Sequence, residues 1–240
     1  MNRIVLNIYE NLLRVRAPKP LVKNFNILEG ISRYYQNYQR EWDLCAIPGD
    51  RNILFINRGI IEIKEDDDVY LTTAFLGRAL RNIFAPKVKG FLVLHGGAVE
   101  RDGKAVLFLG GHASGKTTAV SGFCENSWGY LGEDMVMLSL NGLKVFPTPP
   151  ITKSLKVHKI GAPSEIYAIF LIKFSEGRST EIREVEPYEV LLYFTENALN
   201  PDIITPKVLN TMAKLLKTTK VFRVFHSSWQ DILKFCEGLF

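Results

Sequence analysis

The chain has 240 residues, enough for one large domain or for a small domain joined to a medium-sized one. The formal net charge is +5 and no block of Lys or Arg is typical of a nucleic-acid-binding arm, so a nucleic acid is not expected as partner. Cys45, Cys124 and Cys236 are far apart and lack CxxC spacing, which argues against a disulfide framework or zinc knuckle and favours a reducing compartment.

The sequence carries no recognisable targeting or membrane signal. The first residues, Met1–Glu10, contain neither a long apolar run nor a small-residue cleavage site, so no signal peptide is expected. No run of about 18 apolar residues is present, so no membrane span is expected. We therefore expect a soluble cytoplasmic protein that does not act at a membrane.

Residues 1–88 predict a smaller α+β portion. Apolar residues at helical spacing predict a helix over residues 69–84, and Pro86 is expected to end it. Runs rich in β-branched residues predict strands at Arg3–Tyr9, Ile53–Asn57 and Gly59–Lys64.

Residues 89–240 predict an α/β domain, because strand and helix patterns are mixed along this part of the chain. Asn141-Gly142 is a strong signal for a hairpin turn. Strands are predicted at Phe91–His95, Ala98–Glu100, Ala105–Leu109, Met135–Leu138, Ile166–Phe174 and Val221–Phe225. Helices are predicted near Lys116–Cys124, Pro187–Leu199, Pro206–Lys217 and Ser228–Phe235.

A glycine-rich segment, Gly110–Thr117, fits the complete phosphate-binding P-loop pattern. Its glycines let the backbone curl and point N–H groups inward, and the following helix adds the positive end of its dipole. Lys116 is expected to reach the outer phosphates, and the Thr117 hydroxyl is expected to bind Mg²⁺. An apolar strand before the segment and a helix pattern after it provide the setting that this mechanism requires. The predicted ATP-binding residues are Gly110, Gly111, His112, Ala113, Ser114, Gly115, Lys116, Thr117 and Thr118.

Two adjacent carboxylates, Glu133 and Asp134, follow a short strand after the predicted P-loop helix. Neighbouring residues on a strand point to opposite faces, so the two are not expected to share one role. One is suited to hold Mg²⁺, and the other to accept a proton from an attacking hydroxyl. The alternative is a Glu-Asp pair in an ordinary surface turn.

Residues 91–138 resemble the kinase core of HPr kinase/phosphorylase and its shorter relatives, which share a fold with the phosphoenolpyruvate carboxykinases. His95-Gly96 precedes Gly110 at the family's spacing, and Leu131–Val136 stands where the family has its Asp-Asp pair. Two later segments, Val145–Pro150 and Met212–Val224, are similar to the proline-rich turn and the closing helix–strand unit of the short relatives. The resemblance implies a P-loop kinase core over residues 89–240.

The resemblance also implies residue roles. Lys116 and the loop backbone would bind the phosphates of ATP. Thr117 and Asp134 would organise Mg²⁺. Glu133 would be the base for the substrate hydroxyl, and His95 would support that carboxylate near the reacting phosphate.

Two departures from the family bear on the substrate. Glu133 replaces an Asp, which moves the carboxyl group about one methylene further out, and no Gly-rich segment with a glutamate follows the pair. Both departures argue against HPr itself as the substrate and against the phosphorylase reaction. Some short relatives are free-serine kinases, so the resemblance implies transfer of the γ-phosphoryl group of ATP to a serine-type hydroxyl, first of all free L-serine.

Several alternatives stay open at this point. The acceptor can be a serine in a protein or peptide such as an HPr-like protein, or the chain can be a nucleotide-binding regulatory module without transfer chemistry. A carboxykinase reaction is weaker, because no clear arginine cluster or manganese site is visible. Lys153 and Lys156 either meet the substrate or belong to a solvated basic loop. Since the relatives are often oligomeric, a homo-oligomer is also an expectation.

Overall fold

In a computed structural model, the chain divides into two compact units, residues 1–89 with 149–153, and residues 90–148 with 154–240. The structure describes the backbone of six strands within residues 2–63, and then residues 81, 84–148, 155 and 157–240. Most of the predicted helix over 69–84 lies outside the described residues, as do Lys153 and Lys156.

The first unit contains a six-stranded sheet with the order β3-β1-β2-β4-β5-β6. Its pairs are antiparallel except β2 with β4, which are parallel. The strands predicted from sequence in this unit are confirmed as β1, β5 and β6. The bounds are β1 Asn2–Ile8, β2 Asn11–Ala17, β3 Arg33–Tyr34, β4 Leu44–Ile47, β5 Asn52–Ile56 and β6 Gly59–Ile63.

The second unit is mixed α/β, which confirms the coarse fold class. Its strands are β7 Phe91–Leu94, β8 Gly97–Arg101, β9 Lys104–Leu109, β10 Gly129–Gly132, β11 Val136–Ser139, β12 Lys144–Phe146, β13 Ser164–Phe174, β14 Glu181–Glu184 and β15 Lys220–His226. Its helices are α1 Lys116–Glu125, α2 Tyr188–Glu196, α3 Pro206–Leu216 and α4 Trp229–Glu237. Short 3₁₀ turns span Pro201–Ile203 here and Ala85–Lys87 in the first unit.

The long strand β13 organises the second sheet. It pairs in parallel with β9 on one side and with β15 on the other, and its first residues pair antiparallel with β12. The sheet continues as β10-β8-β9-β13-β12-β11-β7, and β14 adds to the outer edge of β15. Because parallel neighbours point the same way, the carboxyl ends of β9, β13 and β15 meet at one edge of the sheet.

Helices cover this sheet on both faces, and the two faces differ in composition. Along β13, Phe170 belongs to one buried cluster, whereas Ile169 and Leu171 belong to the other, as the period of two in a strand requires. The cluster with α1 and α4 is aromatic, since Phe170 stacks on Phe108 and on Phe222 at centroid distances of 5.9 and 5.3 Å. The cluster with α2 and α3 is mainly aliphatic. The sheet is therefore buried on both faces around β13.

Candidate phosphate-binding site

The predicted P-loop connects the end of β9 to the start of α1, at the edge where the parallel strands end. The N-cap position of α1 is Gly115, and no side chain of the described residues caps it. Among the other described helices of this unit, α3 is capped by the Thr205 hydroxyl and α4 by the Ser228 hydroxyl, whereas α2 also starts without a side-chain cap, at Pro187. The first N–H groups of a helix lack intrahelical partners, so an uncapped start offers donors and positive dipole potential to an anion.

Lys116 lies inside the loop. Its Nζ donates hydrogen bonds to the carbonyl oxygens of Gly110 and Gly111, at 2.9 and 2.7 Å, and contacts Ser114 Oγ at 3.4 Å. Burial lowers the pKa of the Lys116 ammonium, and the negative charge of Asp134 acts in the opposite direction. The Asp134 carboxylate is therefore close enough to interact with the lysine that the sequence assigns to phosphate binding.

The outer side of the loop is accessible. Gly111, His112 and Ala113 are exposed, as are Thr117 and Thr118 in the first turn of α1. The predicted magnesium ligand Thr117 is therefore accessible from solvent.

His95 and Asp134 come together because β7 and β11 are antiparallel neighbours. Leu94 at the end of β7 pairs with Val136 at the start of β11, so the residues just beyond these ends share one edge. Nδ1 of His95 lies 3.4 Å from Oδ1 of Asp134, with 20% and 28% of the two side chains exposed. The sequence predicted both residues, and the sheet order brings them together.

Two glycines let the turn after His95 lie against the P-loop elements. A Cβ atom at Gly96 would be 2.9 Å from Cδ2 of Leu109, the last residue of β9. A Cβ atom at Gly97 would be 2.7 Å from Cγ2 of Val120 in α1. Such distances are shorter than real contacts, so any other residue type would force the turn or these neighbouring side chains to shift. The two glycines after His95 thus let this turn pack against the strand before the loop and the helix after it.

Glu133 occupies a different environment from its neighbour. Its side chain is completely buried, and its backbone N–H donates to the Tyr130 hydroxyl at 3.1 Å. Burial raises the pKa of Tyr130 well above its usual value, and the charge of Glu133 adds to this. The backbone of Asp134 is left-handed, with φ of 60°. The structure therefore pairs His95 with Asp134, whereas the resemblance implied that His95 supports Glu133.

A second histidine, His226, contacts the loop and was given no role from the sequence. It ends β15, is 3% exposed, and its Nε2 lies 3.0 Å from the carbonyl oxygen of Ser114. The sequence signal that could have found it was its position at the end of a strand in an α/β domain, because ligands in such folds bind at the carboxyl ends of strands. His158, the other unassigned histidine, is exposed.

The residues present suit a magnesium ion that is held mainly by a nucleotide. Within the described residues, no three His, Cys, Asp or Glu side chains cluster as a metal site. Mg²⁺ is usually held by one or two protein oxygens together with phosphate oxygens and water. The Thr117 hydroxyl and the Asp134 carboxylate are the two protein oxygens that were expected from the sequence for this role.

Comparisons with known proteins give no information about the chemistry of this site. The sequence matches no protein-family model and no curated protein. No helix in the described part of the chain has the length and apolar character needed to cross a bilayer.

Proposed function

We propose that this protein is an ATP-dependent kinase with a P-loop core of the HPr kinase/phosphoenolpyruvate carboxykinase type. It transfers the γ-phosphoryl group to a serine-type hydroxyl, and free L-serine is the first candidate acceptor. The observation that carries the proposal is the contact between His95 and Asp134, whose negative charge acts on Lys116 of the phosphate-binding loop. Phosphoryl transfer depends mainly on positioning and charge stabilisation, and these residues supply both.

ATP binding uses the loop backbone, the uncapped start of α1 and Lys116. In the described conformation, Nζ of Lys116 bonds the carbonyl oxygens of Gly110 and Gly111. On ATP binding, phosphate oxygens become acceptors for the same ammonium group. The negative charge of the phosphates favours the charged lysine, which burial alone disfavours.

Thr117 would hold Mg²⁺ against the phosphates, with phosphate oxygens and water as its other ligands. A carboxylate bound to the ion would be a poor base, so Asp134 is not given both roles. The ion would neutralise charge that accumulates on the transferred group.

Two carboxylates compete for the role of the base. The resemblance implies Glu133, but this side chain is fully buried beside Tyr130. A base must come within hydrogen-bond reach of the proton that it removes. Asp134 is partly exposed and has His95 beside it, so we assign proton removal to the Asp134–His95 pair. The substitutions Asp134→Asn and Glu133→Gln separate the two assignments.

The acceptor is tested directly by incubating the protein with ATP, Mg²⁺ and L-serine. We expect ADP and O-phosphoserine in equal amounts, measured by coupled ADP detection and mass spectrometry. ADP release that does not depend on serine would contradict the free-serine proposal. Transfer of label from ATP to a protein in a cell extract, but not to serine, would favour a protein or peptide substrate. ATP binding without turnover on any hydroxyl acceptor would favour a regulatory module.

A further inference from the structure

The P-loop rests on the carboxyl ends of two adjacent parallel strands. At its start, a Cβ atom on Gly110 would be 2.3 Å from the carbonyl oxygen of Ile172 in β13. At its end, a Cβ atom on Gly115 would be 2.7 Å from Cε1 and 2.9 Å from Nε2 of His226 in β15. The imidazole of His226 therefore lies directly against the backbone of the last loop residue, on the buried side.

The hydrogen bond of His226 defines a tautomer. A carbonyl oxygen only accepts, so the contact of 3.0 Å with Ser114 means that Nε2 carries a proton and donates it. Nδ1 is buried and makes no hydrogen bond with any residue that the structure describes. Within the described part of the chain, the single polar contact of this ring is thus the one with the loop.

This bond fixes the direction of one peptide plane. In a planar trans peptide, the carbonyl oxygen and the following N–H point in opposite directions. Because Ser114 points its oxygen at His226, Gly115 points its N–H away from β15. Gly115 has φ of 91°, in the left-handed region that glycine adopts at low cost. The backbone preference of glycine therefore does not by itself fix the orientation of the Ser114–Gly115 peptide.

We propose that His226 is a positioning residue that holds the Ser114–Gly115 peptide with the Gly115 N–H directed to the phosphate. The inference rests on the proposed nucleotide-binding function and deepens it. His226 does not touch the phosphate itself. It acts through the loop backbone, and it controls nucleotide affinity more than the rate of the chemical step.

The test uses two side chains of similar length and shape, His226→Gln and His226→Met. The glutamine amide can donate to Ser114, whereas the methionine thioether cannot. We expect the Kd for ATP to rise about 10-fold in the methionine variant, as expected for one lost hydrogen bond. In the glutamine variant, the Kd should stay within about twofold of the wild-type value. The kcat at saturating ATP should change little in both, and His158→Met is the control for an exposed histidine.

A purely structural role predicts a different pattern. Both variants would then lower the melting temperature and leave ATP affinity unchanged, or both would lose affinity to the same extent. Either result overturns the inference. If His226→Met does not fold, His226→Asn replaces it, because its amide is one carbon shorter than that of glutamine and does not reach Ser114; wild-type affinity in that variant also overturns the inference.

A second readout needs no nucleotide. Amide hydrogen exchange at Gly115 and the orientation of its peptide in a crystal structure are compared for the wild-type, glutamine and methionine proteins. We expect altered exchange or a turned peptide in the methionine variant alone. If wild-type protein binds no ATP, the proposed function fails; if the peptide is the same in all three proteins, the positioning role fails.

Discussion

The two sides of the P-loop have different tasks. On the open side, residues 111–113 are exposed, and Asp134, which pairs with the partly exposed His95, acts on Lys116 through its charge. On the closed side, the loop rests on Ile172 and on the buried His226. The open side holds charged groups that can act on a ligand, and the closed side holds the backbone in shape. Substitutions on the two sides should therefore fail in different ways, with lost turnover on one and lost binding or stability on the other.

The largest effect is expected for Asp134→Asn on the open side. The amide keeps the size of the side chain but cannot take a proton, so kcat should fall about 1,000-fold. Affinity for ADP without Mg²⁺, measured by calorimetry, should stay within a few fold of the wild-type value.

Glu133→Gln is the matched change at the neighbouring, buried carboxylate. It should lower kcat much less than Asp134→Asn if the Asp134–His95 pair removes the proton. A loss of turnover in Glu133→Gln that equals or exceeds the loss in Asp134→Asn would assign the base to Glu133 and contradict our assignment.

The closed side is tested by Gly115→Ala. The new Cβ atom meets the His226 ring at 2.7 Å and the residue keeps a φ of 91°, so both contact and conformation are strained. We expect destabilisation of about 3 kcal/mol, which corresponds to a fall of about 6–12 °C in melting temperature by calorimetry.

Gly111→Ala provides the control within the same loop. Nothing lies within 4 Å of a Cβ atom at this exposed position. Its melting temperature should stay within about 1–2 °C of the wild-type value, since surface changes cost little. Equal destabilisation by Gly115→Ala and Gly111→Ala would show that the contact of Gly115 with His226 does not determine the loss of stability.

Lys116→Met removes the ammonium group that bonds the carbonyl oxygens of Gly110 and Gly111 inside the loop. Its alkyl chain is retained, so the fold should persist while the Kd for ATP rises about 100-fold, as the loss of a charge-assisted contact predicts. Lys207→Met, at an exposed position of α3, should leave the Kd unchanged. Similar ATP titration curves for Lys116→Met and Lys207→Met would show that Lys116 does not contribute to ATP binding.

The smallest effect concerns the thiols of Cys124 and Cys236, which are buried in the aromatic cluster with α1 and α4. Burial raises the pKa of both Cys124 and Cys236 to about 12, and the charges of Glu133 and Glu125 add to the increase at Cys124. In a Cys45→Ser background, neither thiol should react with iodoacetamide at pH 8 until the protein is unfolded, as measured by mass spectrometry.

The same two thiols make stability depend on pH. They stay protonated in the folded protein, whereas in the unfolded chain they ionise at the ordinary thiol pKa of 9.0. Their contribution to stability is therefore complete below pH 9 and is lost as the pH rises towards 12. The fall in free energy of unfolding over this range should be smaller in Cys124→Ala/Cys236→Ala. If the free energy of unfolding of the double variant fell with pH as steeply as that of the wild-type protein, the two thiols would not be the groups responsible.

The features predicted from the sequence are those encoded by contiguous residues. The P-loop needs only eight neighbouring positions, and the helices and most strands follow from short-range patterns. The strand β14, Glu181–Glu184, was missed because three of its four residues are charged and it lies at the edge of the sheet. Its pairing with β15 is supplied by tertiary structure rather than by local composition.

Features that depend on sheet order could not be derived from the sequence. The contact between His95 and Asp134 requires β7 to pair with β11, its antiparallel neighbour across the sheet, instead of with the next strand, β8. Glu133 is buried whereas Asp134 is partly exposed, and the backbone at Asp134 is left-handed, which the residue pattern does not reveal. His226 is 112 residues from Ser114, and only the parallel pairing of β15 with β13 brings it under the loop.

Among the described residues, no side chain accepts hydrogen bonds from the first N–H groups of α1. The helices α3 and α4 begin with hydroxyl side chains that satisfy their first N–H groups, whereas α1 begins at a glycine without such a group. On the function proposed above, a bound phosphate takes the place of the missing capping side chain. A cap contributes about 1 kcal/mol to helix stability, so the nucleotide would be a structural part of α1 as well as a reactant.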